Sequence, residues 1–129
     1  MTDEDKKKIL LVDDDKFLVD MYSMKFTEEG YAVHTCLSAT DALRALRGGL
    51  VPDAIVFDLT MPELDGFSLL GTVIQEKLAQ GAVKIALTNQ SDDYEKKRIM
   101  DLGADDYIVK ASAIPSEVVD IVGKAIRRT

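Results

Sequence analysis

Four places in this chain set a polar side chain directly after a short apolar run. Asp13-Asp14-Asp15 follows Ile9 to Val12, Asp58 follows Ala54 to Phe57, Thr88 follows Ile85-Ala86-Leu87, and Lys110 follows Ile108-Val109. If the aspartates share one crevice, two like charges about 4 Å apart repel by roughly 4 kcal/mol at an effective dielectric near 20. Such a cluster must take up protons or bind a cation. Carboxylates and a backbone carbonyl are hard oxygen ligands, a set that suits Mg²⁺ with several retained waters. One aspartate would suffice to cap the following helix; a run of three facing a fourth favours a metal site. A nucleophilic carboxylate beside a divalent cation, a hydroxyl and an ammonium has the parts that phosphoryl transfer needs, with Asp58 placed to attack.

The elements that must bring these residues together can be read from the hydrophobic pattern. Ile9 to Val12 is a continuous apolar run, the mark of a strand buried on both faces. A helix follows from about Lys16 to Glu29, with Phe17, Met21, Tyr22 and Met24 as its apolar stripe and Gly30 as its stop. Tyr31 to Cys36 reads as the second strand, and Ser38 as the N-cap of a helix that runs through Leu43 and Leu46 to Gly48-Gly49. Ala54 to Phe57 is the third strand. A loop stiffened by Pro62 leads to a helix capped by Asp65 that carries Phe67, Leu70, Val73, Ile74 and Leu78. Lys84 to Leu87 is the fourth strand, Ser91 caps a helix to about Leu102, and Tyr107 to Val109 is the fifth strand. Pro115 opens a last helix with Val118, Ile121, Val122 and Ala125 on one face.

Strand and helix alternate five times, which requires parallel strands, right-handed crossovers and helices on both faces of the sheet. The expected fold is α/β: a flavodoxin-like (βα)5, doubly wound five-stranded parallel sheet of order 2-1-3-4-5. Its switch point lies between strands 1 and 3, where ligands bind at the carboxyl ends of the strands, so Asp13-Asp14-Asp15 and Asp58 become neighbours.

Bulk properties narrow the class. The 129 residues form one expected domain, 1–129, with residues 1–7 as a flexible N-terminus. The net charge of −7 argues against general nucleic-acid binding, since no phosphate-neutralising surface is evident. No apolar run is long enough to span a membrane, and the charged residues Met1 to Lys8 lack a signal core. The single cysteine, Cys36, cannot form an internal disulfide, which fits a reducing cytoplasm, the expected location. His34, the only histidine, sits within strand 2 as a strand-face residue, away from the acid cluster. Met21, Met24 and Met100 read as core or near-core filler.

From Lys8 to about Arg128 the chain resembles the response-regulator receiver domains of two-component signalling. The resemblance rests on Leu11-Val12-Asp13-Asp14-Asp15, on Asp58 with Met61-Pro62 and Asp65-Gly66, on Thr88, on Gly103-Ala104-Asp105-Asp106-Tyr107, and on Lys110. It implies that Asp58 accepts a phosphoryl group from the phosphohistidine of a sensor histidine kinase or a histidine phosphotransfer protein. The domain would thereby catalyse its own Mg²⁺-dependent phosphorylation and dephosphorylation without being a conventional enzyme. By the same resemblance Asp14 and Asp58 hold Mg²⁺ directly (Mn²⁺ able to substitute), Asp13 through water, and the Thr60 carbonyl completes the set. Thr88 and Tyr107 act as switch residues, and Lys110 pairs with the aspartate and then with the phosphoryl group. Helix 4, strand 5 and helix 5 form the surface read by a downstream target protein, with the chain as a monomer or a phosphorylation-dependent dimer. The sequence ends with the close of helix 5, which fits either a stand-alone receiver or part of a larger regulator.

Three departures from the family pattern stand out. Ala111 follows Lys110 where proline in a cis bond is usual; a cis bond before alanine costs about 3 kcal/mol, so the loop is either trans or strained. Asn89 stands where a small residue is usual, and Thr60 and Gln90 occupy positions that tune the rate of phosphoryl loss. Two rival chemistries fit less well. A haloacid-dehalogenase-type hydrolase needs a second aspartate two residues after the nucleophile, where Thr60 stands. A flavodoxin-type flavin site would set a phosphate against Asp13-Asp14-Asp15. A receiver-like module that binds partners without phosphorylation is the remaining alternative.

Overall fold

A computed structural model of the chain describes residues 5–89, 91–110 and 113–128. Gln90 and Ala111 therefore lie outside the described residues, as do residues 1–4. Ten elements alternate: β1 (Lys8–Val12), α1 (Lys16–Glu28), β2 (Ala32–Cys36), α2 (Ala39–Arg47), β3 (Ala54–Asp58), α3 (Gly66–Gln75), β4 (Val83–Thr88), α4 (Asp93–Leu102), β5 (Asp106–Val109) and α5 (Pro115–Arg128). The five strands form one parallel sheet in the order β2-β1-β3-β4-β5, as the alternation requires. Just before β1, the Lys7 carbonyl accepts the Ala32 N–H at 2.9 Å.

Side-chain alternation along the strands divides the core into two layers. Leu10, Val12, Ile55, Phe57 and Ala86 point to one face and pack with Leu43 and Leu46 of α2, Leu70 and Val73 of α3, and Ile99 of α4. Ile9, Leu11, Val56, Ile85, Leu87 and Ile108 point to the other and meet Val19, Tyr22 and Phe26 of α1 and Val118 and Val122 of α5. The central strands β1, β3 and β4 are thus apolar on both sides, which is why their sequences read as unbroken runs.

Local details differ from the sequence reading in three helices. In α1 the core-facing stripe is Val19, Tyr22 and Phe26; Phe17 is 77% and Met24 64% exposed, so the methionine there is not core filler. Met100 is likewise exposed, on the outer face of α4. Helix α4 is capped by Asp92 rather than Ser91: the Asp92 side chain accepts the N–H groups of Tyr94 and Glu95. A carboxylate is the better cap where the helix dipole adds to the hydrogen bond. Helix α3 closes at Gln75, before Leu78, because Lys77 and Ala79 take positive φ angles of 57° and 46° that a continuing helix excludes. The remaining caps are as read: Ser38 for α2 and Asp65 for α3.

Candidate functional site

The acidic run after β1 splits into three roles. Asp15 caps α1, its Oδ1 accepting the N–H groups of Phe17 at 3.0 Å and Leu18 at 3.3 Å. Asp14 is exposed. Asp13 turns inward and is 2% exposed; its N–H bonds the Cys36 carbonyl, and its Oδ1 accepts the Asp15 N–H at 3.0 Å. One of the three aspartates therefore does serve the helix, and two are left for the crevice.

Asp58 ends β3 and is 3% exposed. It pairs in register with Leu87, which puts Thr88 one residue further along the neighbouring strand end. Ligand oxygens of Asp13, Asp14 and Asp58 lie within 4.8 Å of one another. The loop after Asp58 is folded back tightly. The Thr60 N–H bonds Asp58 Oδ1 at 3.2 Å, the Gly66 N–H bonds the Leu59 carbonyl at 2.9 Å, and Glu63 sits at φ 69°. Gly66 packs so closely on the Asp58 backbone that any Cβ there would overlap the Asp58 carbonyl. Gly66 is thus required by close approach rather than by an unusual φ.

Lys110 leaves the end of β5 and reaches both buried carboxylates, at 2.6 Å from Asp13 Oδ2 and 3.5 Å from Asp58 Oδ2, with its own side chain 8% exposed. The resemblance assigned it to Asp58; the shorter contact is to Asp13. Burial alone would lower the lysine pKa, but the hydrogen bond it donates to Asp13 and the charges of Asp58 and Asp13 outweigh it and hold the ammonium protonated. For Asp58 burial wins: its carboxyl is pushed above the usual range despite the charge of Lys110, and Asp13 pushes it the same way. Two carboxylates sharing one ammonium retain a net negative charge. With Asp14 beside them, the three-oxygen set fits a hard divalent cation such as Mg²⁺.

Thr88 closes β4, 3% exposed, in register with Val109 of β5, and Tyr107 stands two residues earlier on β5, opposite Ala86. The Tyr107 phenol is shifted upward, first by burial. Hydrogen bonds from the Asp92 backbone and the Thr88 side chain act against that shift, and the charges of Glu95 and Asp92 add to it. The phenol therefore connects the hydroxyl at the site to the first turn of α4. Asn89, exposed, borders a cleft of about 580 Å³ next to the site, whose walls include Lys110 and Tyr22. His34 is exposed on β2, away from this group. Sequence reasoning placed Tyr22 only in an apolar stripe, since nothing in the spacing of α1 shows that its phenol reaches the lysine's cleft.

Known proteins share this fold. The response regulator receiver domain family matches residues 9–122. The alkaline phosphatase synthesis transcriptional regulatory protein PhoP of Bacillus subtilis is 34% identical over 123 residues, 95% of this chain and 50% of that protein. This chain spans about half the length of the curated relatives it matches, at 50% of each. Among solved structures, a putative response regulator from Chloroflexus aurantiacus J-10-fl superposes with a TM-score of 0.85 at 31% identity, covering 95% of this chain and 98% of its own. A CheY-like receiver domain protein from Methanospirillum hungatei JF-1 does so at 0.86 and 25% identity, covering 95% of both chains. No described helix is long and apolar enough to cross a membrane. With its fold, its acidic crevice and its sequence all in agreement, this chain belongs to the receiver domains of two-component response regulators.

Proposed function

We propose that the domain takes a phosphoryl group onto Asp58 from a phosphohistidine on a kinase or phosphotransfer protein and thereby changes a partner-binding surface on α4, β5 and α5. The observation that carries this reading is the convergence of Asp13, Asp14 and Asp58 oxygens within 4.8 Å, with Lys110 on the same carboxylates. In the transfer an Asp58 oxygen forms the bond to phosphorus as the P–N bond to the donor imidazole breaks. The imidazole nitrogen leaves with the electron pair and takes up a proton.

Asp13, Asp14, Asp58 and the Thr60 carbonyl would hold Mg²⁺, which when bound supplies positive charge to the equatorial phosphoryl oxygens. Lys110 brings a second cation to those oxygens, and the Thr88 hydroxyl a hydrogen-bond donor. Asn89 at the mouth of the site, with Thr60 and Gln90, sets how readily water reaches the acyl phosphate. The signal route follows from Tyr107. A phosphoryl group that draws Thr88 toward Asp58 changes the partner of the phenol, and the phenol adjoins the Asp92 cap of α4. A local charge change then biases a helix position.

Intact mass after incubation with acetyl phosphate, with and without Mg²⁺, tests the reading beside Asp58→Asn. One phosphoryl adduct that requires both Mg²⁺ and Asp58 is expected. An adduct indifferent to Asp58, or none with either acetyl phosphate or a phosphohistidine donor, would leave a module that works without phosphorylation.

A further inference from the structure

Lys110 is a buried cation whose hydrogen bonding is only partly accounted for. An ammonium has three N–H donors. Asp13 Oδ2 takes one at 2.6 Å, and Asp58 Oδ2, at 3.5 Å, is the second acceptor in reach. The third has no acceptor among the described residues, and Lys110 also lines a cleft. Most of that cleft is apolar, formed by Leu18 and Met21 of α1 and by Ala113, Ile114 and Pro115 at the start of α5. Besides Lys110, it has three polar lining residues: Tyr22, Asn89 and Glu117. Asn89 and Glu117 are exposed and can turn to water, whereas Tyr22 is 2% exposed, fixed between Val19 and Phe26 in the core of α1 and α5. Leaving a charged donor without an acceptor in such a setting carries a heavy penalty.

We propose that Tyr22 is a positioning residue for Lys110: its ring walls the lysine into the crevice, and its hydroxyl oxygen accepts the third N–H through one water. This rests on the phosphoryl-accepting reading of the site, because the position of Lys110 matters most when phosphoryl oxygens arrive on Asp58. At that moment the ammonium must leave Asp13 for a new anion only a few ångströms away. A fixed neutral acceptor behind it lets it pivot without being drawn into solvent, which a carboxylate in the same place would oppose by competing for the charge. The electrostatics agree with the placement. Burial raises the Tyr22 phenol, while the charges of Lys110 and Asp13 both act on it, the first downward and the second upward. The charges acting on Lys110 are those of Asp13 and Asp58, so Glu117 is not its counter-ion.

Two substitutions separate positioning from packing. Tyr22→Phe keeps the ring and removes the acceptor; Tyr22→Leu removes both. The first readout needs no phosphodonor: the ¹³Cε resonance of Lys110, assigned by its loss in Lys110→Arg. Positioning predicts that Tyr22→Phe shifts and broadens this signal while the melting temperature stays close to wild type. The second readout is the acetyl phosphate reaction with Mg²⁺. The maximal phosphorylation rate should fall about tenfold in both variants, the loss of one hydrogen bond to a charged group, at an unchanged half-saturating donor concentration. A Tyr22→Phe protein with the wild-type Lys110 resonance and rate would overturn the proposal, even if Tyr22→Leu were impaired, because only packing would then matter. If wild type itself gains no adduct while Tyr22→Phe still shifts the Lys110 signal, the phosphorylation reading fails and the positioning of Lys110 stands.

Discussion

Lys110 Nζ is closer to Asp13 than to Asp58, at 2.6 Å against 3.5 Å, and joins residues 97 positions apart in the chain. The ammonium is thus the internal counter-ion of the crevice, holding together the ends of β1, β3 and β5. Removing one member of a buried ionic group leaves the others uncompensated, a change worth several kcal/mol. Lys110→Met is expected to destabilise the Mg²⁺-free domain by about 3 kcal/mol in urea unfolding. Mg²⁺ should restore more stability to this variant than to wild type, since the cation answers the same carboxylates. Equal Mg²⁺ effects on both proteins would mean that lysine and metal do not share the site.

Asp58 supplies the opposite case, a group the fold holds at a cost. Its pKa is raised by burial, then further by Asp13, against the pull of Lys110. The sign follows directly: with the folded pKa above the unfolded value of 3.8, the folded state holds the proton more tightly. This group's contribution is most favourable below 3.8 and is lost as pH rises through the folded value. Asp58→Asn should therefore be more stable than wild type at pH 7 in EDTA by about 1 kcal/mol, and the advantage should shrink as pH falls. The same variant should gain no phosphoryl adduct. A variant less stable at every pH would show that hydrogen bonding at Asp58, such as that from Thr60, outweighs the burial of its charge.

The sheet was legible because strand ends and polarity coincide: each apolar run stops at a residue that now stands at the crevice. Asp13, Asp58, Thr88 and Lys110 could be placed from the strand order alone. Helix faces were less legible. In α1 the stripe Phe17, Met21, Tyr22 and Met24 repeats at helical spacing as convincingly as Val19, Tyr22 and Phe26, and periodicity does not say which of two overlapping stripes meets the sheet. The Ser91–Asp92 pair posed the same problem for a cap, with two competent side chains in succession. The Lys110–Asp13 contact depends on the reach of one side chain across the crevice, which no spacing encodes.

The two stripes of α1 can be told apart by substitution. Val19 is 2% exposed and Met24 64%. Val19→Ala should cost about 2 kcal/mol, whereas Met24→Gln should change stability by less than about 0.5 kcal/mol. Comparable losses in urea unfolding would place Met24 in the core after all.

Gly66 ties the start of α3 to the Asp58 backbone. A Cβ there would overlap the Asp58 carbonyl and lie 2.8 Å from Leu59 Cα, both main-chain atoms that cannot turn aside. Gly66→Ala is expected to cost about 2–3 kcal/mol and to slow phosphorylation by moving Asp58. Gly71, five residues along in α3, has nothing within 4 Å of its Cβ position, so Gly71→Ala should instead gain about 0.5–1 kcal/mol and leave the rate alone. Parallel loss of rate in both variants would point to α3 as a whole rather than to the contact at Asp58.

Cys36 gives a pH test in a part of the molecule that bears no chemistry. The thiol ends β2 within the core layer that holds Val12 and Leu43, and its carbonyl receives the Asp13 N–H. Burial, helped by the charge of Asp41, raises its pKa from 9.0 to about 11. The folded state therefore keeps the thiol proton in the interval where the unfolded chain loses it. Its contribution to stability is fully present below 9.0 and is lost as pH rises toward about 11. Cys36→Ala should remove this alkaline decline, although the smaller side chain lowers stability at pH 7. At pH 8, alkylation of native Cys36 by iodoacetamide should be at least a hundredfold slower than in urea, because the reactive thiolate is scarce and the sulfur is covered. Fast labelling of the native protein would mean that β2 opens at its carboxyl end, and with it the strand that supports Asp13.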